Sequence, residues 1–268
     1  MITTVHEGKI AKFENLKIEV YVSREAAGEA AANATAEALQ EIASAGKTFG
    51  VIFATGASQL ATLNALSRID QLPWDQVQGF NMDDYVGLPA DHPASFHAYL
   101  RDKVPQRGQM KSFLEVDGTA SDIAKMCRDY TEALRAADPQ LCLLGIGENG
   151  HLAFNDPAEA NFNDPFDVRT VHLDKTCRQQ QAAEGWFKTY EEVPELAVTL
   201  TIPALFCVPR LIISVPGKRK ASVVWRTVQE PISTACPSTI LRTHPDASVY
   251  LDEESAAKIT DLAELFDG

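Results

Sequence analysis

Short apolar runs alternate with helical patterns along the whole 268-residue chain, and that alternation restricts how it can fold more than any single motif. Residues 18–22 read as a strand, and Ser23 can cap the alanine-rich helix that follows to about Ala45. Strands are expected at 50–54, 77–82 and 141–146, with later candidates at 168–173, 196–202, 211–215 and 248–251. Helices are expected from about Gln59, over 218–228 and 253–265, and from Ser121, where Ile123, Cys127, Tyr130 and Leu134 share one face. Interleaved strands and helices imply βαβ units, and so a mainly parallel sheet covered by helices on both faces. The expected fold is α/β, Rossmann-like and three-layered, with residues 1–268 as one domain.

Three polar clusters each follow a strand: Thr55-Gly56-Ala57-Ser58, Asp83-Asp84, and the stretch from Glu148 to Asp156. In a parallel sheet strand ends share an edge, which is where open α/β sheets bind ligands. The first cluster joins a hydroxyl to backbone N–H groups before a helix, which suits a phosphate, though it matches neither GxxxxGK[ST] nor GxGxxG. In the second, a partly desolvated carboxylate at a strand end can serve as general base; Asp84 can equally cap a turn. In the third, Gly145, Gly147 and Gly150 surround His151, a side chain that can exchange a proton near neutral pH. The basic triplet Lys218-Arg219-Lys220 opens a helix after Pro216-Gly217, and one of its three cations can meet a phosphate. His92, His97, His172 and His244 form no clear constellation, and His6, His92 and His97 read as surface or packing residues.

Other chemistries find less support. A metal pair at Asp83 and Asp84 lacks a second carboxylate–histidine cluster at ligand spacing, so no metal or cofactor is expected. A serine hydrolase would need a GxSxG elbow, which is absent. Five scattered cysteines without a CxxC pair fit a reducing compartment. The sequence shows no signal-peptide pattern and no apolar run of membrane-spanning length, so a cytoplasmic protein is expected. A net charge of −13 argues against nucleic acid and anionic membranes as partners. It also means that an anionic substrate needs a local positive site.

The run Phe80-Asn81-Met82-Asp83-Asp84-Tyr85-Val86-Gly87-Leu88, taken with Leu144-Gly145-Ile146-Gly147-Glu148-Asn149-Gly150-His151-Leu152-Ala153-Phe154-Asn155-Asp156-Pro157, resembles the glucosamine-6-phosphate deaminase family. That family is related to the 6-phosphogluconolactonases, which share the fold but typically continue differently after the histidine. The resemblance implies a metal-free conversion of glucosamine 6-phosphate and water to fructose 6-phosphate and ammonia. It implies that Asp83 carries the proton between C2 and C1 and that His151 assists ring opening. Asp156 would orient that histidine, with Asn149 holding the imidazole by a hydrogen bond. Thr55, Gly56, Ala57, Ser58 and Lys220 match the family's phosphate site. The family's phosphate arginine would fall near Ala183 and is missing here, so Arg178, Arg219 or Arg242 is expected to substitute. The expected partner is a small-molecule sugar phosphate, an epimer such as galactosamine 6-phosphate included, and the class is compatible with a homo-oligomer. Glu159-Ala160 stands where some deaminases carry an activator-binding serine pair, so activation by N-acetylglucosamine 6-phosphate is not expected. The rival readings are a lactonase, in which His151 activates water, and a non-catalytic sugar-phosphate sensor.

Overall fold

A computed structural model describes residues 8–259. Its strands are β1 (Lys9–Phe13), β2 (Leu16–Tyr21), β3 (Phe49–Phe53), β4 (Val77–Asn81), β5 (Asp83–Tyr85), β6 (Ser112–Leu114), β7 (Pro139–Leu144), β8 (Val168–His172), β9 (Leu196–Leu200), β10 (Arg210–Ser214) and β11 (Ala247–Asp252). Its helices are α1 (Arg24–Ala43), α2 (Leu60–Leu66), α3 (Phe96–Lys103), α4 (Ile123–Ala137), α5 (Lys175–Ala183), α6 (Ile202–Phe206), α7 (Ala221–Gln229) and α8 (Glu253–Ala256). His6 and the part of the expected 253–265 helix beyond Ile259 lie outside the described residues.

Eight strands form the main sheet in the order β1-β2-β11-β10-β7-β3-β4-β6. All its pairings are parallel except β1 with β2. Alternation along each strand divides its residues between two faces. Val51, Phe53, Leu141 and Leu143 share a core with Leu39 of α1 and Leu63 of α2. Ile52, Cys142 and Leu144 share the opposite one with Leu134 of α4 and Val224 of α7. The result is a three-layer, Rossmann-like α/β fold. Its central strands are apolar on both faces because both faces are covered.

Neighbouring β3 and β7 send their connections in opposite directions, β3 towards β4 and β7 towards β10. This is a topological switch point, where the departing loops leave a crevice at the carboxyl ends of the strands.

The strand candidates at 168–173 and 196–202 lie outside the main sheet, where β8 and β9 form a separate antiparallel sheet in the order β5-β9-β8. The chain bends at Met82, directly after β4, and the Met82 carbonyl accepts from Leu200 N at 2.8 Å. From there β5 pairs with β9, with Asp83 opposite Thr199. Tyr85, Phe96, Phe154 and Phe187, with Val171, give this small sheet a mainly aromatic core of its own. Among the described residues no helix is long and apolar enough to cross a membrane.

Candidate active site

The three polar clusters meet at the switch point, around a cavity of about 270 Å³ that also admits the turn after β10. Gly56 turns the chain after β3 with φ 97°, a conformation that favours glycine, and its carbonyl accepts from the Tyr99 hydroxyl at 2.8 Å. Buried Gln59 donates to Leu144 O at 3.1 Å and to Ser58 Oγ at 3.2 Å, which fixes this loop to the end of β7. On the other side, Gly217 N donates to both Asp252 oxygens at 2.9 and 3.0 Å. Lys220 is buried, and its Nζ donates to Ile146 O at 2.7 Å. Burial holds its ammonium below the usual lysine range, partly offset by the Glu184 and Glu148 carboxylates.

Asp83 lies within β5 rather than in a loop after β4, and it is buried rather than exposed. Its Oδ1 has no hydrogen-bond partner among the described residues, and the residue lines the cavity. Burial pushes its pKa well above the carboxylate range, and the Asp84 charge adds to this. The backbone around it is fixed: Asn81 Nδ2 donates to Asp83 O at 2.9 Å, and Asn81 Oδ1 accepts from Val116 N at 2.8 Å. Asp84 has a different task. It accepts from Tyr85 N at 2.8 Å and lies 3.5 Å from His97 Nε2. Burial raises its pKa to about 6, against the opposing pull of those N–H groups and the histidine. His97 thus supports the acidic pair from outside the cavity, its Nε2–H donating to Val116 O at 2.6 Å.

His151 sits in a tight loop closed by Gly147 N to His151 O at 2.9 Å and Gly150 N to Gly147 O at 3.0 Å. It lines the cavity and is 8% exposed. Its Nδ1 lies 2.9 Å from Asp156 Oδ1, an electrostatic contact in which the ring is not lined up for a straight hydrogen bond. Two residues on, Ala153 takes φ 50°, a left-handed conformation uncommon for a non-glycine residue. Asp156 is fully buried. Burial raises its pKa, but His151, the Asn149 amide and Asp174 N more than offset this and hold the carboxyl below its usual range. Asn149 does not reach the imidazole. Its Nδ2 bridges Asp156 at 2.9 Å and Asp174 at 3.0 Å, while its Oδ1 accepts from His151 N at 3.0 Å. It positions the carboxylate and the backbone because the loop turns its side chain back towards α5.

Among the described residues, His151, Asp156 and buried Cys177 form the one set of three side chains whose donor atoms could hold a metal ion, all within 4.8 Å of one another. Burial pushes the Cys177 thiol well above its usual range, and the two Asp156 oxygens already accept from Asn149 and Asp174 N.

Arg178 is not at the cavity, contrary to expectation. Its guanidinium donates to Val193 O at 2.9 and 3.1 Å and stacks on Tyr190, which turns it along the outside of α5. Arg242 is likewise occupied, donating to Val228 O and Glu230 O at 2.7 Å each. Arg219 does line the cavity, paired with Glu148 at 2.7 Å. Residues that sequence reasoning passed over also line it: Arg24 from the start of α1, and Gln180, Gln181 and Glu184 from the end of α5. The signal for α5 was present in Asp174, whose side chain caps the helix by accepting from Cys177 N at 2.7 Å.

A buried unpartnered carboxylate and an imidazole that face one cavity, beside two anion-suited loops, define an enzyme that moves protons on a small substrate. The sequence profile of the family "Glucosamine-6-phosphate isomerases/6-phosphogluconolactonase" matches residues 22–250, and the chain belongs to that family. A glucosamine-6-phosphate deaminase of Streptococcus thermophilus is 31% identical over 224 residues, 83% of this chain and 93% of that protein. One from Exiguobacterium sibiricum is 34% identical over 218 residues, 81% and 83% of the two chains. Among solved structures, a monomeric glucosamine-6-phosphate deaminase matches with a TM-score of 0.81 and 29% identity, over 90% of this chain and 99% of the other. A 6-phosphogluconolactonase from Trypanosoma brucei shares the fold with a TM-score of 0.74 at 18% identity, over 90% and 98%.

Proposed function

We propose that the cleft converts glucosamine 6-phosphate and water to fructose 6-phosphate and ammonia. The observation that carries this reading is Asp83: a buried carboxylate oxygen without a partner, open to the cavity that His151 also lines. A base left unsolvated in this way is strong once ionised. His151 exchanges a proton with the ring oxygen and opens the sugar. Asp83 then takes the C2 proton and returns it at C1, which converts the aldose to a ketose imine equivalent, and water releases ammonia from C2. Asp156, 2.9 Å from Nδ1, steadies the imidazole while the proton is in transit. Residues 55–58 and Lys220 receive the phosphate. Substrate is the one partner this reading requires. The net charge of −13 disfavours nucleic acid, and the unpatterned cysteines support a reducing, cytoplasmic setting.

The test is an ammonia-release assay over a panel of amino-sugar 6-phosphates, galactosamine 6-phosphate included, with hydrolysis of 6-phosphogluconolactone run beside it. Ammonia together with stoichiometric fructose 6-phosphate is expected from glucosamine 6-phosphate. Lactone hydrolysis without ammonia would overturn the reading.

A regulatory expectation belongs to the same assay. Glu159 is engaged by Arg169 at 2.9 Å and accepts from His172 N at 3.2 Å, so the segment after Asp156 is held within the subunit. Added N-acetylglucosamine 6-phosphate is expected to leave the rate-against-substrate curve unchanged. A leftward shift or a higher rate at low substrate would count against this.

A further inference from the structure

We propose that Arg24 is the guanidinium that anchors the substrate phosphate, delivered from the first turn of α1 rather than from α5. The proposal rests on the sugar-phosphate reading above and adds a residue to it.

The positive groups at the cavity differ in how free they are. Lys220 is buried and donates to Ile146 O, and its burial disfavours the charged form. Arg219 is neutralised by Glu148 at 2.7 Å. Arg24 lines the same cavity, is exposed, and makes no hydrogen bond or ion pair among the described residues. Its terminal nitrogen reaches the turn after β10: a Cβ added at Gly217 would stand 2.8 Å from it. The guanidinium therefore lies against the turn after β10, one of the two loops that face the phosphate.

The opposite wall points the same way. At the end of α5, Glu184 lines the cavity, held by Gln180 Nε2 at 2.8 Å and Trp186 Nε1 at 3.2 Å. Both donors are neutral, so neither offsets the carboxylate's repulsion of a phosphate from that side. A dianion entering the cavity is thus driven from α5 towards Gly217 and Arg24. A planar fork of N–H donors matches two phosphate oxygens at once, which the free ammonium of Lys218 on the same loop cannot do. The topology supplies the route. α1 begins where β2 ends, and β2 lies in the main sheet parallel to β11 and two strands from β10. Its carboxyl end therefore shares the edge that carries the other site loops.

The test compares Arg24→Met and Lys218→Met with the wild type. Steady-state ammonia release is measured with glucosamine 6-phosphate, and binding of inorganic phosphate by titration calorimetry. For Arg24→Met, KM is expected to rise by at least about tenfold, as for the loss of a charged hydrogen-bonding partner. Inorganic phosphate should bind correspondingly more weakly, while kcat stays within about threefold of wild type because no proton-handling group is touched. Lys218→Met should change KM by less than Arg24→Met does. An unchanged KM and phosphate affinity in Arg24→Met overturns the proposal, as does a larger loss in Lys218→Met. If Arg24→Met does not fold, Arg24→Lys takes its place, with a KM increase of at least about threefold expected and no increase overturning the idea. If the wild type releases no ammonia while Arg24→Met still loses phosphate affinity, the assigned reaction fails and the phosphate anchor stands.

Discussion

Asp83→Asn is expected to lower the rate of ammonia release by about 10² to 10⁴-fold, the usual worth of a positioned general base. The amide keeps the shape of the carboxyl in its buried place on β5 but cannot accept the C2 proton. The loss should fall on kcat, with KM little changed, because the phosphate loops stand on other strands. The same variant separates the rival functions. A lactonase that uses His151 to activate water would keep most of its rate, and a sensor would keep its affinity. A second measurement on this variant concerns stability. Burial raises the native pKa of Asp83 well above its unfolded value. Between those two values the native state holds a proton that the unfolded state has lost, so wild-type stability falls as pH rises through that window. Asparagine has no such proton. Asp83→Asn should therefore melt higher than wild type at pH 8, with the gap closing towards pH 4. A lower melting temperature at pH 8 would contradict the buried, unpartnered state of the carboxyl.

The second large effect comes from a residue with no chemistry. A Cβ added at Gly147 would stand 2.2 Å from His151 Nε2 and Cε1. Something must shift, and the loop backbone is closed by the 2.9 Å bond from Gly147 N to His151 O. The ring is the part that yields, and it moves off Asp156 Oδ1. Gly147→Ala is expected to reduce kcat by on the order of 10²-fold, as for a catalytic group misplaced by about 1 Å. Phosphate affinity should be retained, since the loops after β3 and β10 are untouched. The comparison is with His151→Ala. If Gly147→Ala were to remain fully active, His151 would not be required in the position the structure gives it.

The convergence of three strand-end clusters was legible because short, near-continuous apolar runs interleaved with helical patterns imply a parallel sheet covered on both faces, and a parallel sheet puts its carboxyl ends on one edge. What stayed hidden depended on pairing between distant segments. Asp83-Asp84-Tyr85 becomes a strand only because β9 lies beside it, and two adjacent acids carry almost no strand signal of their own. The chain's departure from the main sheet at Met82 was unreadable for the same reason. Arg178 and Arg24 show a further limit. Arg24 stood on an expected helix and Arg178 on one, α5, that was not expected. Whether a guanidinium points to Val193 or across to Gly217 depends on how its helix is docked, which no local pattern records. Asn149 sits where the motif puts it and differs only in what its amide touches.

Thr199 joins Asp83 and His151, the two residues proposed to move protons. Its backbone pairs with Asp83 across β5 and β9, and its hydroxyl accepts from Phe154 N at 3.1 Å in the loop that carries His151. Asn155 adds a second stitch, donating to Leu200 O at 2.8 Å. Asp83 and His151 are thereby referenced to one strand, while the loops proposed to receive the phosphate leave β3 and β10. Substitution can then act on the two halves separately. A lineage can lose one anion anchor and recruit another from a neighbouring helix without disturbing the spacing on which the proton transfers depend. An engineer altering the tail of the substrate has the same freedom, provided Thr199 and its partners are left in place.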